Sequence, residues 1–172
     1  MKTIRTPRLQ LRRARMEDLA AIHAVLSNAR AMLYWSTLPH ATLDQSRAWL
    51  ASMIDVAPHE NADFVIERDG VVIGKAGCWR MPEIGFILHP DHWGQGFAQE
   101  AVAAVVDYAF AHFDIPAITA DVDPRNAASL GLLAKLGFRE THRAARTFEV
   151  GGIWCDSIYL ARSRSDSKHQ IG

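Results

Sequence analysis

The stretch Glu83-Ile84-Gly85-Phe86-Ile87-Leu88-His89-Pro90-Asp91-His92-Trp93-Gly94-Gln95-Gly96-Phe97-Ala98-Gln99-Glu100-Ala101 constrains this chain most. An apolar run reads as a strand, a loop with two glycines follows, and a long helix begins. A strand feeding a helix this way demands a sheet with that helix packed on it. Glycines at such a joint let backbone N–H groups approach an anion, and the helix N-terminus adds a partial positive charge. The same glycines also suit a tight turn on steric grounds alone. Taken by itself, the stretch leaves both readings open.

The remaining chain limits the choice. Its 172 residues fit one domain, with 19 basic residues balanced by 19 acidic ones. That balance argues against nucleic acid as a partner, because phosphate-backbone binding needs a basic surplus on one face. Cys78 and Cys155 lie far apart in apolar runs, without metal or CxxC spacing, and read as free buried thiols. His89 and His92 have no third ligand spaced with them, so no metal is expected. The start, Met1 to Pro7, lacks an apolar signal core, and no run approaches a membrane span. These features predict a soluble cytoplasmic protein with no membrane partner, as a monomer or homodimer. The domain is expected over residues 1–161, with a flexible polar tail over 162–172.

Leu9 to Arg12 alternates as a half-buried strand, with Arg8, Arg12, Arg13 and Arg15 read as solvated. Met16-Glu17-Asp18 opens a first helix, and Thr42-Leu43-Asp44-Gln45 resembles a capping box that opens a second, running to about Ile54. Pro58 to Asn61 reads as loop. Phe64–Arg68 and Val71–Trp79 form a hairpin about Asp69-Gly70. The opening strand comes next, then a helix from Phe97 to about Phe113, a strand over 117–122, and a helix over 126–136 ended by Gly137. Two last strands, 138–150 and 153–160, flank Gly151-Gly152. The order β α α β β β α β α β β predicts an α/β fold, a mixed sheet with helices on both faces.

Three motifs in order identify a relationship. Thr6-Pro7-Arg8-Leu9-Gln10-Leu11-Arg12, then Trp93-Gly94-Gln95-Gly96-Phe97-Ala98, then Asn126-Ala127-Ala128-Ser129 with Lys135-Leu136-Gly137-Phe138, resemble the GNAT superfamily of acyl-CoA-dependent N-acetyltransferases. They most resemble the branch that acetylates N-termini of ribosomal proteins. The resemblance implies a mostly antiparallel sheet splayed in its middle, with acetyl-CoA as co-substrate and no metal. It implies that the pantetheine arm pairs with backbone groups of Phe86, Ile87 and Leu88. The pyrophosphate would rest on amides of Gly94, Gln95, Gly96, Phe97, Ala98 and Gln99. Asn126 would bond the arm, cap its helix, or both. Trp93 stands where the family usually has Arg or Gln, which removes one charge contact.

Amine attack on a thioester needs a free lone pair, an oxyanion donor and a proton for the thiolate. By resemblance the oxyanion donor is the Leu88 N–H. Many relatives supply the proton from a tyrosine at the position of Leu133, which cannot donate. Ser129, one turn earlier, is the substitute, although a helix serine needs no catalytic role. Glu83 is the candidate base, with Glu149, Asp156 and His89 as rivals. Tyr34, Trp35 and Trp154 are expected around the acceptor, and each could equally be a packing residue. An α-amine ionises near 7.7–8.0 and lysine near 10.4, so neutral lysine costs roughly 3–4 kcal/mol more. The acceptor is therefore expected to be a protein N-terminus or an amine-bearing, amino-acid-like small molecule. A binding protein of the same fold without turnover is the alternative, with Leu133 in its favour. A generic phosphate-binding module is a third, opposed by the lack of a P-loop lysine pattern.

Overall fold

A computed structural model describes residues 3–57 and 59–165. Its centre is an eight-stranded sheet in the order β1-β2-β3-β4-β5-β6-β8-β7. The strands are β1 (Ile4–Arg5), β2 (Gln10–Arg12), β3 (Ala62–Arg68), β4 (Val71–Arg80), β5 (Glu83–Leu88), β6 (Ala117–Val122), β7 (Arg139–Val150) and β8 (Ile153–Ser163). Every neighbouring pair is antiparallel except β5 with β6. The helices are α1 (Leu19–Leu26), α2 (Leu43–Asp55), α3 (Phe97–His112) and α4 (Ala127–Lys135). Two apolar cores separate them. Val65, Val72 and Ile87 face Ile22, Leu26 and Leu50 of α1 and α2. Phe64, Ile84, Leu88 and Ile118 face Val102, Val105 and Leu133 of α3 and α4. The alternation of strand side chains thus covers both faces with helices, as the element order predicts.

The departures from the sequence reading have local causes. β1 has only two residues, too short to leave an alternating signal. Met16–Asp18 is a separate 3₁₀ turn ahead of α1, with Asp18 buried. Arg12 and Arg13 are not solvated. Arg12 donates to both Asp18 oxygens (2.7 and 2.9 Å) and to Glu67 (2.7 Å), and Arg13 donates to Asn61 Oδ1 and to the Ile54 and Val56 carbonyls. Regular structure also runs past residue 161, where the tail was expected to begin. β8 continues to Ser163 because it pairs with β6 to its end, Ala117 opposite Ser163. Arg164 then donates to the carbonyls of Phe110, Phe113 and Ile115, which ties the strand end to the C-terminus of α3. Pro58 and the rest of the expected tail, 166–172, lie outside the described residues. Cys78 and Cys155 are free and buried, and burial pushes the Cys78 thiol up to about 12.

Candidate active site

The site begins where the sheet fails to close. β5 and β6 share one residue pair, Glu83 with Thr119, joined by the bond from the Thr119 amide to the Pro82 carbonyl (3.0 Å). Beyond it the strands diverge. The bond from the His89 amide to the Ile73 carbonyl (2.9 Å) sets the phase of the β4–β5 ladder. Residues opposite each other exchange bonds in alternate pairs. Gly85 and Ile87 therefore turn their N–H and C=O toward β4, whereas Phe86 and Leu88 turn theirs toward β6, which is no longer there. The Leu88 carbonyl accepts from the Trp93 indole (3.0 Å), leaving the Leu88 N–H and both Phe86 groups facing the gap. This corrects the expectation for Ile87, whose main chain is committed to β4. Ile87 is still among the residues lining the gap, while its side chain packs in the α1–α2 core.

The loop after β5 delivers α3 to the mouth of this opening. A short 3₁₀ turn, Pro90–His92, is capped by His89, whose Nδ1 accepts from the Asp91 amide. His89 is thereby placed as a cap and does not line the cavity. Gly94 (φ 70°) and Gly96 (φ 80°) are left-handed, a conformation that L side chains rarely adopt. Gly96 is the N-cap of α3 and brings no side-chain oxygen, so the first-turn amides of α3 have no side-chain cap. Glu100, in that first turn, is fixed by Thr6 (2.6 Å) and Arg8 (2.6 Å), and these contacts outweigh its burial to hold it below the usual carboxylate range.

The gap is a cavity of about 670 Å³. Phe86, Ile87 and Leu88 form one wall, and Asn126, Ser129 and Leu132 the other. Gly94, Gly96, Ala98 and Gln99 lie at the α3 end, and Tyr34 and Trp35 reach in from the segment between α1 and α2. These features fit an acyl-CoA: an unpaired strand edge for an amide-bearing arm, then an uncapped helix start for phosphates. Gln95 and Phe97 do not line it. The Gln95 side chain donates to the Asp91 carbonyl, and its own carbonyl accepts from Arg8 (2.8 Å). The Phe97 ring is buried between the guanidinium groups of Arg8 and Arg68. Neither side chain can therefore meet a ligand in this cavity, and only main-chain amides remain to them.

Asn126 caps α4 through its Oδ1 and the Ser129 amide (3.1 Å) while also lining the cavity. Ser129 lines it too, and its hydroxyl bonds no other described residue. Leu133 is fully buried in the α3–α4 core, so that position is a packing position here. Glu83 does not line the cavity; it is exposed at the one pair where β5 and β6 still meet, on the face of β5 that looks toward the α1–α2 segment. Trp35 covers the same face, its Cη2 3.9 Å from where a Gly85 Cβ would stand. Glu83 is exposed, yet its neighbours displace part of its water. That desolvation, with Asp121 on β6 adding to it and Arg80 opposing it, holds the carboxyl above its ordinary range. Asp121 follows Thr119 by two residues on one strand and so shares its face.

The segment between α1 and α2 also meets the β7–β8 turn. Leu38 Cδ2 lies 3.0 Å from where a Cβ would stand at Gly151, in the β7–β8 turn. Trp154 does not enter the cavity. It is 46% exposed and covered by the Arg146 guanidinium, 4.9 Å from the ring centroid. Asp156 accepts from the Arg146 amide (2.9 Å), and Glu149 pairs across the hairpin with Trp154. Both rival bases thus sit on the outer hairpin, away from the cavity lining. The lining residues given no role from sequence include Arg30, His92 and Lys135, and Trp93 was read there only as a lost charge contact. Of these, Trp93 and Lys135 carried a signal, each as part of one of the three motifs.

Comparison with known proteins agrees with this geometry. The profile of the acetyltransferase (GNAT) domain matches residues 8–139. The uncharacterized N-acetyltransferase p20 of Bacillus licheniformis is 31% identical over 149 residues, covering 81% of this chain and 84% of that protein. Spermidine N(1)-acetyltransferase of Escherichia coli K12 is 27% identical over 163 residues, covering 88% and 84%. The structure of Mycobacterium smegmatis RimJ in complex with CoA-disulfide superposes with a TM-score of 0.80 at 26% identity, covering 96% of this chain and 87% of that one.

Proposed function

Because the chain belongs to the GNAT acetyltransferase family, we propose that it acetylates the α-amine of a protein N-terminus or of an amino-acid-like small molecule, using acetyl-CoA. The observation that carries this reading is the β5–β6 ladder ending after one pair, in front of a helix whose first turn has no side-chain cap. Acetyl-CoA, when bound, supplies the thioester and a thiol leaving group. The chain's part is to hold and to move protons. Phe86 and Leu88 hold the arm through main-chain groups, and the Leu88 N–H faces the carbonyl oxygen. Gly94 to Gln99 receive the pyrophosphate, and Asn126 orients the arm. Glu83, directly or through a water, takes the proton that the incoming amine must lose, and Ser129 Oγ gives one to the departing sulfur.

Relatives named for spermidine and for ribosomal proteins leave the acceptor as a primary amine. The choice between them rests on proton affinity. A raised carboxyl is a better base than an ordinary one, but it still lies far below a lysine or polyamine nitrogen near 10.4 and closer to an α-amine near 7.7–8.0. Tyr34 and Trp35, above Gly85, offer the surface against which that acceptor is held. A panel of α-amino peptides, lysine side chains and polyamines, with mass detection of the acetylated product, tests this. Faster turnover of α-amines is expected. Equal or faster turnover of lysine side chains or polyamines overturns the α-amine assignment, and thiol release with no amine in the panel overturns the transferase roles given to Glu83 and Ser129.

A further inference from the structure

The phosphate end of the cavity raises a question of charge. Its amides carry only partial charges, and Trp93 stands where a cationic or amide side chain is usual in the family that the chain resembles. The cations nearby are mostly committed. Arg8 is bound to Glu100 and to the Gln95 carbonyl, and Arg68 lies over Phe97 beside Asp69 (3.4 Å). Arg125 is held by Asp123, and Lys75 is buried against Asp63 (2.7 Å). Lys135 lies in the last turn of α4, where it complements the helix dipole.

Arg30 and Lys135 are both exposed, both line the cavity, and neither forms an ion pair among the described residues; Arg30 differs in the ring beneath it. Its guanidinium lies 5.4 Å from the Trp93 ring centroid. A guanidinium held over an aromatic face keeps N–H groups free to point away from the ring. Its backbone is fixed as well, because Asn28 Oδ1 accepts from the Arg30 amide (3.0 Å) and the Ala31 amide (3.2 Å). From these contacts we infer that Arg30, seated on Trp93, supplies the cation for the cofactor's pyrophosphate that the phosphate loop itself lacks. Trp93 then serves as the platform for an arginine from the α1–α2 segment, in place of the loop side chain it replaces. The inference rests on the acetyl-CoA reading given above.

Calorimetric titration of the full chain with CoA and with 3′-dephospho-CoA tests it. Arg30→Gln keeps a planar group for the ring and removes the charge. Its affinity for both ligands should fall by the same factor, about tenfold, as expected for one charge-assisted contact. Its binding should also weaken less steeply with added salt than that of the wild type. Arg47→Ala removes a charge from α2 outside the cavity lining and should bind as the wild type does. Unchanged affinity in Arg30→Gln overturns the inference. So does a loss confined to CoA, which would place Arg30 on the 3′-phosphate, or an equal loss in Arg47→Ala. A wild-type chain that binds neither ligand overturns the acetyl-CoA reading itself, and the inference with it.

Discussion

The two ends of the active cavity are made of different material. The end proposed for the cofactor is mostly main chain, namely the edge of β5 beyond Glu83, two left-handed glycines and the uncapped start of α3, with Arg30 on Trp93 the side-chain exception. The end proposed for the acceptor is side chains, Tyr34 and Trp35 from the segment between α1 and α2, and Leu38 of that segment meets the turn at Gly151 outside the lining. Main-chain groups are positioned by the fold and tolerate many side chains, so one such cradle can serve many acceptors. Side chains borrowed from the α1–α2 segment can change singly, and under the proposed function specificity would reside there. Mutations at the acceptor end should therefore alter turnover and amine choice while leaving CoA affinity intact. Mutations at the cofactor end should do the reverse.

The largest effect is expected from Glu83→Gln. It should lower kcat about a hundredfold or more, a typical loss for a positioned acid or base, with CoA affinity unchanged by titration. The pH profile sharpens the point. Glu83 is held above its usual range first by desolvation and then by Asp121. Asp121→Asn removes the second cause and leaves the first. The acid limb of kcat/KM should then move to lower pH, because Glu83 would release its proton more readily. A limb that stays in place would detach Glu83 from proton transfer. Next comes Gly94→Val. No atom lies within 4 Å of a Cβ there, so the cost is not a clash but the left-handed backbone (φ 70°), which a β-branched residue resists. CoA should bind more than about tenfold more weakly, while kcat at saturating CoA is largely retained.

Ser129 and Asn126 lie where the two ends meet, at the start of α4. Ser129→Ala should reduce kcat about tenfold without shifting Tm, because α4 uses the Ser129 amide and not its hydroxyl. A Tm drop equal to that of Asn126→Ala would make Ser129 structural. Asn126→Ala removes the cap and should cost about 1 kcal/mol of stability in addition to weakening CoA binding.

What could be read from sequence follows the same division. The α2 start was legible because its signal is local: Thr42 and Gln45 form the expected capping box. The α3 start was legible because glycine spacing directly encodes left-handed backbone. The splay of β5 from β6 was not legible from residue pattern and entered only through family resemblance, since no side chain reports a missing hydrogen bond. The alternation that commits Ile87 to β4 required knowing the ladder's phase. Trp154 was misplaced because an aromatic residue on a hairpin reads the same whether it faces a cavity or an arginine. Arg30 was invisible for a related reason. It is a lone cation in an irregular segment, given meaning only by the indole that folding brings beneath it.

The smallest expected effect concerns how the acceptor segment is held. Ser46 is fully buried in α2, and its hydroxyl lies 2.8 Å from Nδ1 of His23 and 2.8 Å from Nδ1 of His40. A hydroxyl has one proton to give. With both rings neutral, one Nδ1–H donates to Oγ while Oγ–H donates to the other ring. Protonating both rings leaves the hydroxyl proton without its acceptor and sets two positive charges across one oxygen. His40 is accordingly held below its ordinary range, first by burial and then by His23. Its unfolded value is about 6.5, so the folded chain binds fewer protons than the unfolded chain in the window below that. The contribution is therefore complete above about pH 6.5 and is lost as pH falls through His40's lower folded value. Asp18, kept below the usual carboxylate range because its bonds to Arg12 and the Arg15 amide outweigh its burial, loses its contribution only at more acidic pH. The two windows are thus separable in a urea titration repeated across pH. In His40→Gln the loss of stability just below pH 6.5 should disappear while the more acidic loss remains. An unchanged profile in His40→Gln would show that the histidine pair does not hold the segment.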